Sequence, residues 1–494
     1  MRSLVQVLLG KGWQLSGSDL AITGDDPLAK KEIRCFSGHA AEQVSNDVEC
    51  VIYSSAISAA NPELRRAAEL GIPTLSYAEM LGLLIEGHRG LAVAGTHGKS
   101  TTTAMASAIL VAAECDPTVV YGATPRDGRD GGLAGTGNAV LVEACEFREN
   151  FLLLRPRNAT ILNIEPDHFD CYDSREALES AFARFAAQLP ADGRLIVPWG
   201  DAAVHRVSST AGCRIETFGV LPVLGADVGN FSYSDSRTGR SLALVAPSLG
   251  GISPARDTGR PRGTKSGREV PADWVAANVQ SERGRYGFDL VSQGRNLGRI
   301  KLSVFGRHNV FNALAAAALV ADCGVSAENM IVGLSQFCGL RRRLEPLGKA
   351  GGVIFWDDYA HHPSQISTTL QTVREVAPNA RVCCLFQPHQ ALRTARLLDE
   401  LAFSLQNAER VLIADIFRAR EATPQPGEIA AADLAARTRA LGQDVPGLHA
   451  LVDIHKFLQT RLTPGDILVV MGAGDIGRIG YDLMDWFREN RAAG

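Results

Sequence analysis

Gly95-Thr96-His97-Gly98-Lys99-Ser100 is the stretch whose residue types and spacing could do chemistry. Leu91 to Ala94 ahead of it are apolar and short, as in a buried strand, and an Ala-rich helical pattern, KSTTTAMASAILVAA, follows. Strand, glycine-bounded loop, Gly-Lys-Ser and helix, in that order, is the context of a phosphate-binding loop. Two glycines let successive backbone N–H groups turn inward around phosphate oxygens. The helix N-terminus adds about half a positive charge. Lys99 can reach β- and γ-phosphates, and the Ser100 hydroxyl can ligate Mg²⁺. The alternative is an ordinary βα turn, which needs neither the Lys-Ser pair nor both flanks in register.

Further along, apolar strand patterns end in polar, titratable residues. Ala139–Glu143 leads into Glu143-Ala144-Cys145-Glu146, and 159–164 leads into Glu165-Pro166-Asp167-His168. The pattern at 353–356 is followed by Asp357-Asp358-Tyr359-Ala360-His361-His362-Pro363, and that at 381–386 by Gln387-Pro388-His389. A strand at 411–414 precedes Asp415, and one at 467–471 precedes Gly472-Ala473-Gly474-Asp475-Ile476-Gly477. Acids and histidines at strand C-termini mark where ligands bind in open α/β sheets. Taken singly, each has a plainer reading. Glu143 could be a strand-end surface acid, His168 a hydrogen-bonded structural histidine, Asp358 a turn cap and His361 a surface histidine. The glycines at 472–477 formally match G-x-G-x-x-G, but too little chain follows to build a dinucleotide site.

The elements that must position these residues alternate at βα spacing, which predicts parallel α/β units. With 494 residues the chain is long enough for about three domains. Apolar residues make up 46% and charged residues 21%, an ordinary globular balance. A net charge of −4 gives no bulk attraction for nucleic acid or an acidic membrane. No apolar run approaches the roughly 20 residues of a spanning helix. The N-terminal twenty residues read as an amphipathic helix and a strand edge at 13–15, with no cleavage site for a signal peptide. Ten cysteines without a C-x-x-C pair predict reduced thiols in a cytoplasmic protein, and Cys383-Cys384 sit inside a strand pattern.

The expected domains are 1–88, 89–348 and 349–494. Residues 221–271, rich in Gly, Ser, Pro and Arg, read as a partly mobile surface insertion in the second domain. The helix after Gly306-Arg307-His308-Asn309 is ended by Gly324, and a linker is expected near 346–352.

In order, GTHGKSTTT at 95–103, EACE at 143–146, NIEPDHFD at 163–170, FGRHNVFNALAA at 305–316, DDYAHHP at 357–363, FQPH at 386–389 and GAGDIG at 472–477 resemble the Mur ligases. These are the ATP-dependent amide-forming enzymes of peptidoglycan synthesis. The resemblance covers nearly the whole chain except about 221–271. It implies an α/β, three-domain architecture: a UDP-sugar-binding domain, a central P-loop ATPase domain and a C-terminal Rossmann-like domain. The implied reaction joins L-alanine to the lactyl carboxylate of UDP-N-acetylmuramate through an acyl phosphate, releasing ADP and phosphate. Carried over by position, Gly95, Thr96, His97, Gly98, Lys99, Ser100 and Thr101 cradle the ATP phosphates. Lys99 contacts the transferring phosphoryl group, and Ser100, Glu143 and His168 hold Mg²⁺. Asn309 matches the adenine contact and Asp358 the ribose contact. His361 and Arg393 match residues near the amino acid. The implied partners are these small molecules, with no nucleic acid and no membrane, in a monomer or weak homodimer.

Three departures stand out. The family begins with a strand and glycine-rich turn at the UDP moiety, whereas Met1-Arg2-Ser3 already falls in the following helix, so an upstream start is expected. Gln390 stands where many members carry Arg after Phe-Gln-Pro-His, and Gln lacks the charged fork that Arg offers a carboxylate. The insertion has no family role. A ligase for a recycled tripeptide and a non-catalytic ATP-binding relative remain as alternatives.

Overall fold

The computed structural model describes residues 1–20, 22, 33–128, 131–221, 272–419, 421 and 427–490, and the backbone of 232–235 and 240–243. Of the expected insertion at 221–271, only residue 221 and the backbone of 232–235 and 240–243 lie within these residues. Two compact units emerge. One comprises Met1–Glu165, Arg175–Phe218 and Ala315–Leu334, and the other Pro166–Ser174, Gly219–Leu314 and the chain from Ser335 onward. No described helix is long and apolar enough to cross a membrane.

The first unit opens on helix α1 (Arg2–Gly10), which buries Leu4, Val7 and Leu8. Strands β1 (Ser16–Asp19) and β2 (Arg34–Ser37) form one parallel pair, and β3 (Val51–Tyr53) and β4 (Thr74–Ser76) another. The strand edge expected at 13–15 begins instead at Ser16, because Lys11, Gly12 and Trp13 bond back to α1 carbonyls and complete its last turn. Helix α2 (Pro62–Leu70) starts at Asn61, whose side chain accepts from the Glu63 and Leu64 N–H groups, and stops at Gly71 in the left-handed region. Helix α3 (Tyr77–Ile85) starts with a capping box between Ser76 and Glu79.

Strands β5 (Arg89–Ala94), β6 (Thr118–Val120), β7 (Gly132–Leu133), β8 (Ala139–Glu143), β9 (Asn158–Ile161), β10 (Arg194–Pro198) and β11 (Arg214–Val220) form a sheet in the order β11-β10-β9-β5-β8-β6-β7. Its centre is parallel, with β5 between β8 and β9. Leu91, Ala92, Val93 and Ala94 are fully buried, as in a central strand covered on both faces. Helix α4 (Lys99–Ala112) follows β5. The strand expected over 159–164 ends at Ile161, because Asn163 and Glu165 turn aside to bond the loop after β5.

In the second unit a short antiparallel backbone pair, β12 (Ser232–Asp235) with β13 (Arg240–Ala243), is followed by β14 (Trp274–Glu282), β15 (Arg285–Ser292) and β16 (Arg295–Phe305), an antiparallel meander. A separate sheet runs β17-β18-β21-β19-β20, from β17 (Glu345–Ala350), β18 (Val353–Asp358), β19 (Val382–Phe386), β20 (Arg410–Ile413) and β21 (Ile467–Met471). All its pairings are parallel except β17 with β18.

Alternate residues of this sheet feed two cores. Trp356, Cys384, Phe386, Val469 and Met471 pack on one side, and Val353, Phe355, Cys383, Leu385, Leu468 and Val470 on the other. Cys383 and Cys384 therefore point to opposite faces, and burial pushes the Cys383 thiol up to about 12.

The linker expected near 346–352 is a correction: it is β17 and the tight turn of a hairpin. Ala350 pairs with Val353 across Gly351 and Gly352, whose φ values of 53° and 78° are those of a two-residue type I′ turn. Pro346 is tolerated because β17 is an edge strand.

Candidate active site

The loop from Gly95 to Gly98 leaves the C-terminal end of β5 at the centre of its sheet. Gly95 has φ 130°, and a Cβ there would lie 3.0 Å from the Leu162 backbone nitrogen and Cβ. Gly98, at φ 83°, is the residue that caps α4. Gly95 is thus required by backbone conformation and by the close pass of 162–163, and Gly98 by backbone conformation. Asn163 clips the loop: its side-chain oxygen accepts from the His97 N–H at 2.8 Å, and its amide donates to the His97 carbonyl at 3.1 Å. Thr96 is tied to Glu165 in both directions, its hydroxyl donating to the carbonyl at 3.1 Å and accepting from the N–H at 2.9 Å. The His97 ring lies 3.5 Å from the Glu165 carboxylate. Thr101 follows in the first turn of α4.

Two neighbouring side chains at the start of α4 meet the two acids of the 143–146 tetrad. Ser100 Oγ lies 3.0 Å from both Glu143 oxygens, and Glu143 Oε2 also accepts from the Gly122 N–H at 2.8 Å. Lys99 Nζ donates to the Glu146 carboxylate, 2.9 Å from Oε2. Burial opposes the Lys99 charge, but Glu146, with Cys145 and Glu143 beyond it, outweighs burial and holds the ammonium above its usual range. This arrangement offers a fixed cation and a helix N-terminus to an anion. A hydroxyl and a carboxylate in contact form an all-oxygen donor pair that fits Mg²⁺.

The second unit gathers another set. Arg393 donates from Nε and Nη2 to Asp167 Oδ1, at 2.9 and 2.5 Å, and from Nη1 to His389 Nδ1. Both partners of the ion pair are buried, at 3% and 6% exposure. Burial opposes the Asp167 charge, yet the Arg393 guanidinium in contact with it holds the carboxyl well below the usual range. The His361 ring stands 5.5 Å from that of His389, and its Nδ1 donates to the Tyr359 carbonyl at 2.9 Å. That bond fixes the tautomer and leaves the lone pair on Nε2. Burial, with Arg393 nearby, keeps His361 well below its ordinary pKa, so the ring is neutral at pH 7. His168, beside Asp167, takes φ 53° in a turn closed by the Cys171 and Tyr172 N–H groups on its carbonyl.

Asn309 and Asp358 are each anchored within this unit. Asn309 donates to the Phe305 carbonyl at 2.7 Å and accepts from the Asn312 amide at 2.9 Å. Asp358 Oδ2 accepts from the Thr369 hydroxyl at 2.6 Å, and Oδ1 from the Ala360 N–H at 3.2 Å. Among the described residues no hydrogen bond joins Asn309 to Asp358. The glycines at 472–477 serve close packing: a Cβ on Gly474 would lie 2.5 Å from Gln387 and Phe417, and one on Gly477 2.9 Å from Asp357.

Three segments match known families: residues 1–89 the Mur ligase family catalytic domain, 93–245 the Mur ligase middle domain, and 342–474 the Mur ligase glutamate ligase domain. A curated UDP-N-acetylmuramate–L-alanine ligase of Clostridium novyi (strain NT) is 34% identical over 488 residues, covering 98% of this chain and 95% of the relative. The chain belongs to the Mur ligase family. A second curated UDP-N-acetylmuramate–L-alanine ligase, from Salinibacter ruber, is 35% identical over 481 residues, covering 97% of this chain and 90% of the relative. The crystal structure of the UDP-N-acetylmuramate-alanine ligase MurC of Thermotoga maritima shares the fold, with a TM-score of 0.74 at 23% identity over 99% of this chain and 96% of that one. A murein peptide ligase from Psychrobacter arcticus gives 0.67 at 21% identity, over 98% and 95%.

Within this Mur ligase, the structure brings Gly95 to Thr101 and Glu143 together in the first unit. His168, Asn309, Asp358, His361 and Arg393 lie in the second, where His361 and Arg393 meet at His389. Sequence reasoning passed over Glu146, Asn163, Asp167, His389 and Asn312 as actors. All five sat inside motifs already singled out, and Asn312 lies one helical turn beyond Asn309, on its face.

Proposed function

We propose that the chain is an ATP-dependent ligase that joins L-alanine to the lactyl carboxylate of UDP-N-acetylmuramate, releasing ADP and phosphate in peptidoglycan synthesis. The observation that carries this reading is the near-full-length similarity to curated alanine-adding relatives, at 34% over 98% of the chain. The phosphate-loop geometry agrees with it.

In this reading the loop from Gly95 to Thr101 cradles the phosphates, with Lys99 on the γ-phosphoryl group. The sugar's carboxylate attacks the γ-phosphorus and ADP leaves, giving an acyl phosphate. Ser100, Glu143 and His168 would hold Mg²⁺, which supplies charge neutralisation at the phosphates. Asn309 takes the adenine and Asp358 the ribose. The L-alanine amine then attacks the acyl carbonyl, and phosphate departs. An amine attacks only when neutral, and the Nε2 lone pair of the neutral His361 can accept a hydrogen bond from it and help to orient it. Arg393 lies at the same place and orients the amino-acid carboxylate after exchange with Asp167. The working domain limits are 1–88, 89–348 and 349–494. ATP and nucleotide sugars are cytoplasmic metabolites, so the proposed setting is the cytoplasm. The proposed state is a monomer or weak homodimer, which sedimentation would test.

The test is phosphate release from ATP and Mg²⁺, with UDP-N-acetylmuramate and L-alanine added singly and together. Release is expected only with both. Lys99→Ala is expected to lower it by about a hundredfold or more while the circular dichroism spectrum is kept. Full release without the sugar, or with the tripeptide in place of alanine, would refute the assignment.

A further inference from the structure

Glu146 is the residue of the loop region that the proposed reaction leaves without a role. It follows β8 by three residues and sits at the head of the tight turn Phe147–Leu153. Its side chain is only 1% exposed. Lys99 Nζ meets both of its oxygens, at 3.1 and 2.9 Å, together with the Gly95 carbonyl at 2.6 Å and the Thr96 carbonyl at 3.1 Å. An ammonium has three protons. All three are therefore directed at acceptors of the protein itself. The same tetrad thus grips two consecutive residues of α4, Lys99 through Glu146 and Ser100 through Glu143.

A phosphate oxygen can receive a proton from Lys99 only by displacing one of these acceptors. The two carbonyls are neutral and weaker partners than a carboxylate. Stripping a buried carboxylate of its cation is costly. The lysine therefore gives up a carbonyl and keeps Glu146, and its charge is shared between two anions. We propose that Glu146 is a positioning residue that aims Lys99 and competes with the γ-phosphate of ATP for its charge, loosening ATP in the ground state more than ADP. This inference rests on the proposed contact of Lys99 with the transferring phosphoryl group.

The test is equilibrium binding of ATP and of ADP, without amino acid so that no turnover occurs. It uses the full-length chain, Glu146→Gln and Lys99→Ala. Glu146→Gln keeps an acceptor of the same shape and removes the charge. It is expected to tighten ATP by roughly five- to tenfold and ADP by less than about twofold. In steady state it should lower both KM for ATP and kcat, because the freed charge stabilises the ground state. A structural role alone would move ATP and ADP together, so equal shifts, or no tightening of ATP, overturn the inference.

Lys99→Ala separates the two layers of the argument. If it leaves the preference for ATP over ADP intact, the phosphoryl role of Lys99 fails and this inference with it. If it abolishes that preference while Glu146→Gln leaves ATP affinity unchanged, only the role of Glu146 fails. Should Glu146→Gln not fold, Glu146→Asp withdraws the carboxylate by one methylene. It is expected to tighten ATP about two- to threefold, and no tightening there counts equally against the proposal.

Discussion

Lys99 and Ser100 are legible from sequence because their partners, two glycines and a helix start, are adjacent in the chain. Glu146 is not, because its bond to Lys99 spans 47 positions and depends on an irregular turn. Arg148 and Glu149 in that turn have φ values of 51° and 57°, which no periodicity foretells. The cluster of Asp167, His389 and Arg393 is hidden in the same way, since the ion pair joins positions 226 apart. His308 carries a consequence of its own. It opens the helix that bears Asn309, and its Nδ1 is buried without a hydrogen-bond partner. Burial pulls its pKa down to about 4, from about 6.5 in an unfolded chain. The unfolded state then takes up the proton first. Stability from the neutral ring is complete above about pH 6.5 and is lost as pH falls toward 4, by about 1.4 kcal/mol per unit. His308→Gln should flatten this part of the profile. Thermal unfolding midpoints at pH 7, 6 and 5 check it, and parallel slopes for both proteins would sink the idea.

At the scale of elements, the buried parallel strands read clearly because both faces are covered and their sequences are continuous apolar runs. The antiparallel hairpins did not. Their turns are Arg283-Gly284, Gln293-Gly294 and Gly351-Gly352, each with φ between 48° and 78° at both positions. Arg-Gly and Gln-Gly adopt the type I′ turn here without the Asn-Gly or Asp-Gly signature by which sequence usually announces it. In the meander half the side chains face solvent, so alternation is muted by Gly287, Gly298 and the bulges recorded in the register. The turns predict a graded response. An added Cβ at Gly294 meets nothing within 4 Å, whereas one at Gly352 lies 2.6 Å from Pro464. Gly294→Ala should therefore cost only the left-handed backbone penalty, about 1 kcal/mol. Gly352→Ala should cost that plus overpacking, about 2–4 kcal/mol in total. Denaturant midpoints of the two variants measure this, and equal losses would show that contact with Pro464 is of no consequence.

At the scale of the whole molecule, the α/β class and the order of the motifs were readable, because strand spacing and strand-end chemistry are local. How the first residues attach was not. Separately expected as part of a UDP-sugar domain, α1 shares a compact unit with the phosphate-loop sheet. Ser3 Oγ donates to the Tyr121 carbonyl at 2.6 Å just after β6, and Lys11 Nζ donates to the Gly135 carbonyl at 3.2 Å after β7. Gly132 in β7 permits this approach, since a Cβ there would lie 2.1 Å from the Ser3 carbonyl oxygen. That oxygen belongs to a helix backbone and cannot swing aside as a side chain would. Gly132→Ala should force α1 away from β7, at about 1–3 kcal/mol, and lower the unfolding midpoint by several degrees. Under the proposed role of the loop at 95–98 in ATP binding, saturating ATP should raise the midpoint of variant and parent by the same amount if that loop is undisturbed. A smaller rise in the variant means that strain at the edge strand reaches the central one, through β6 and β8, which lie between β7 and β5. An unchanged midpoint without ATP would show instead that α1 is not held against β7 in solution.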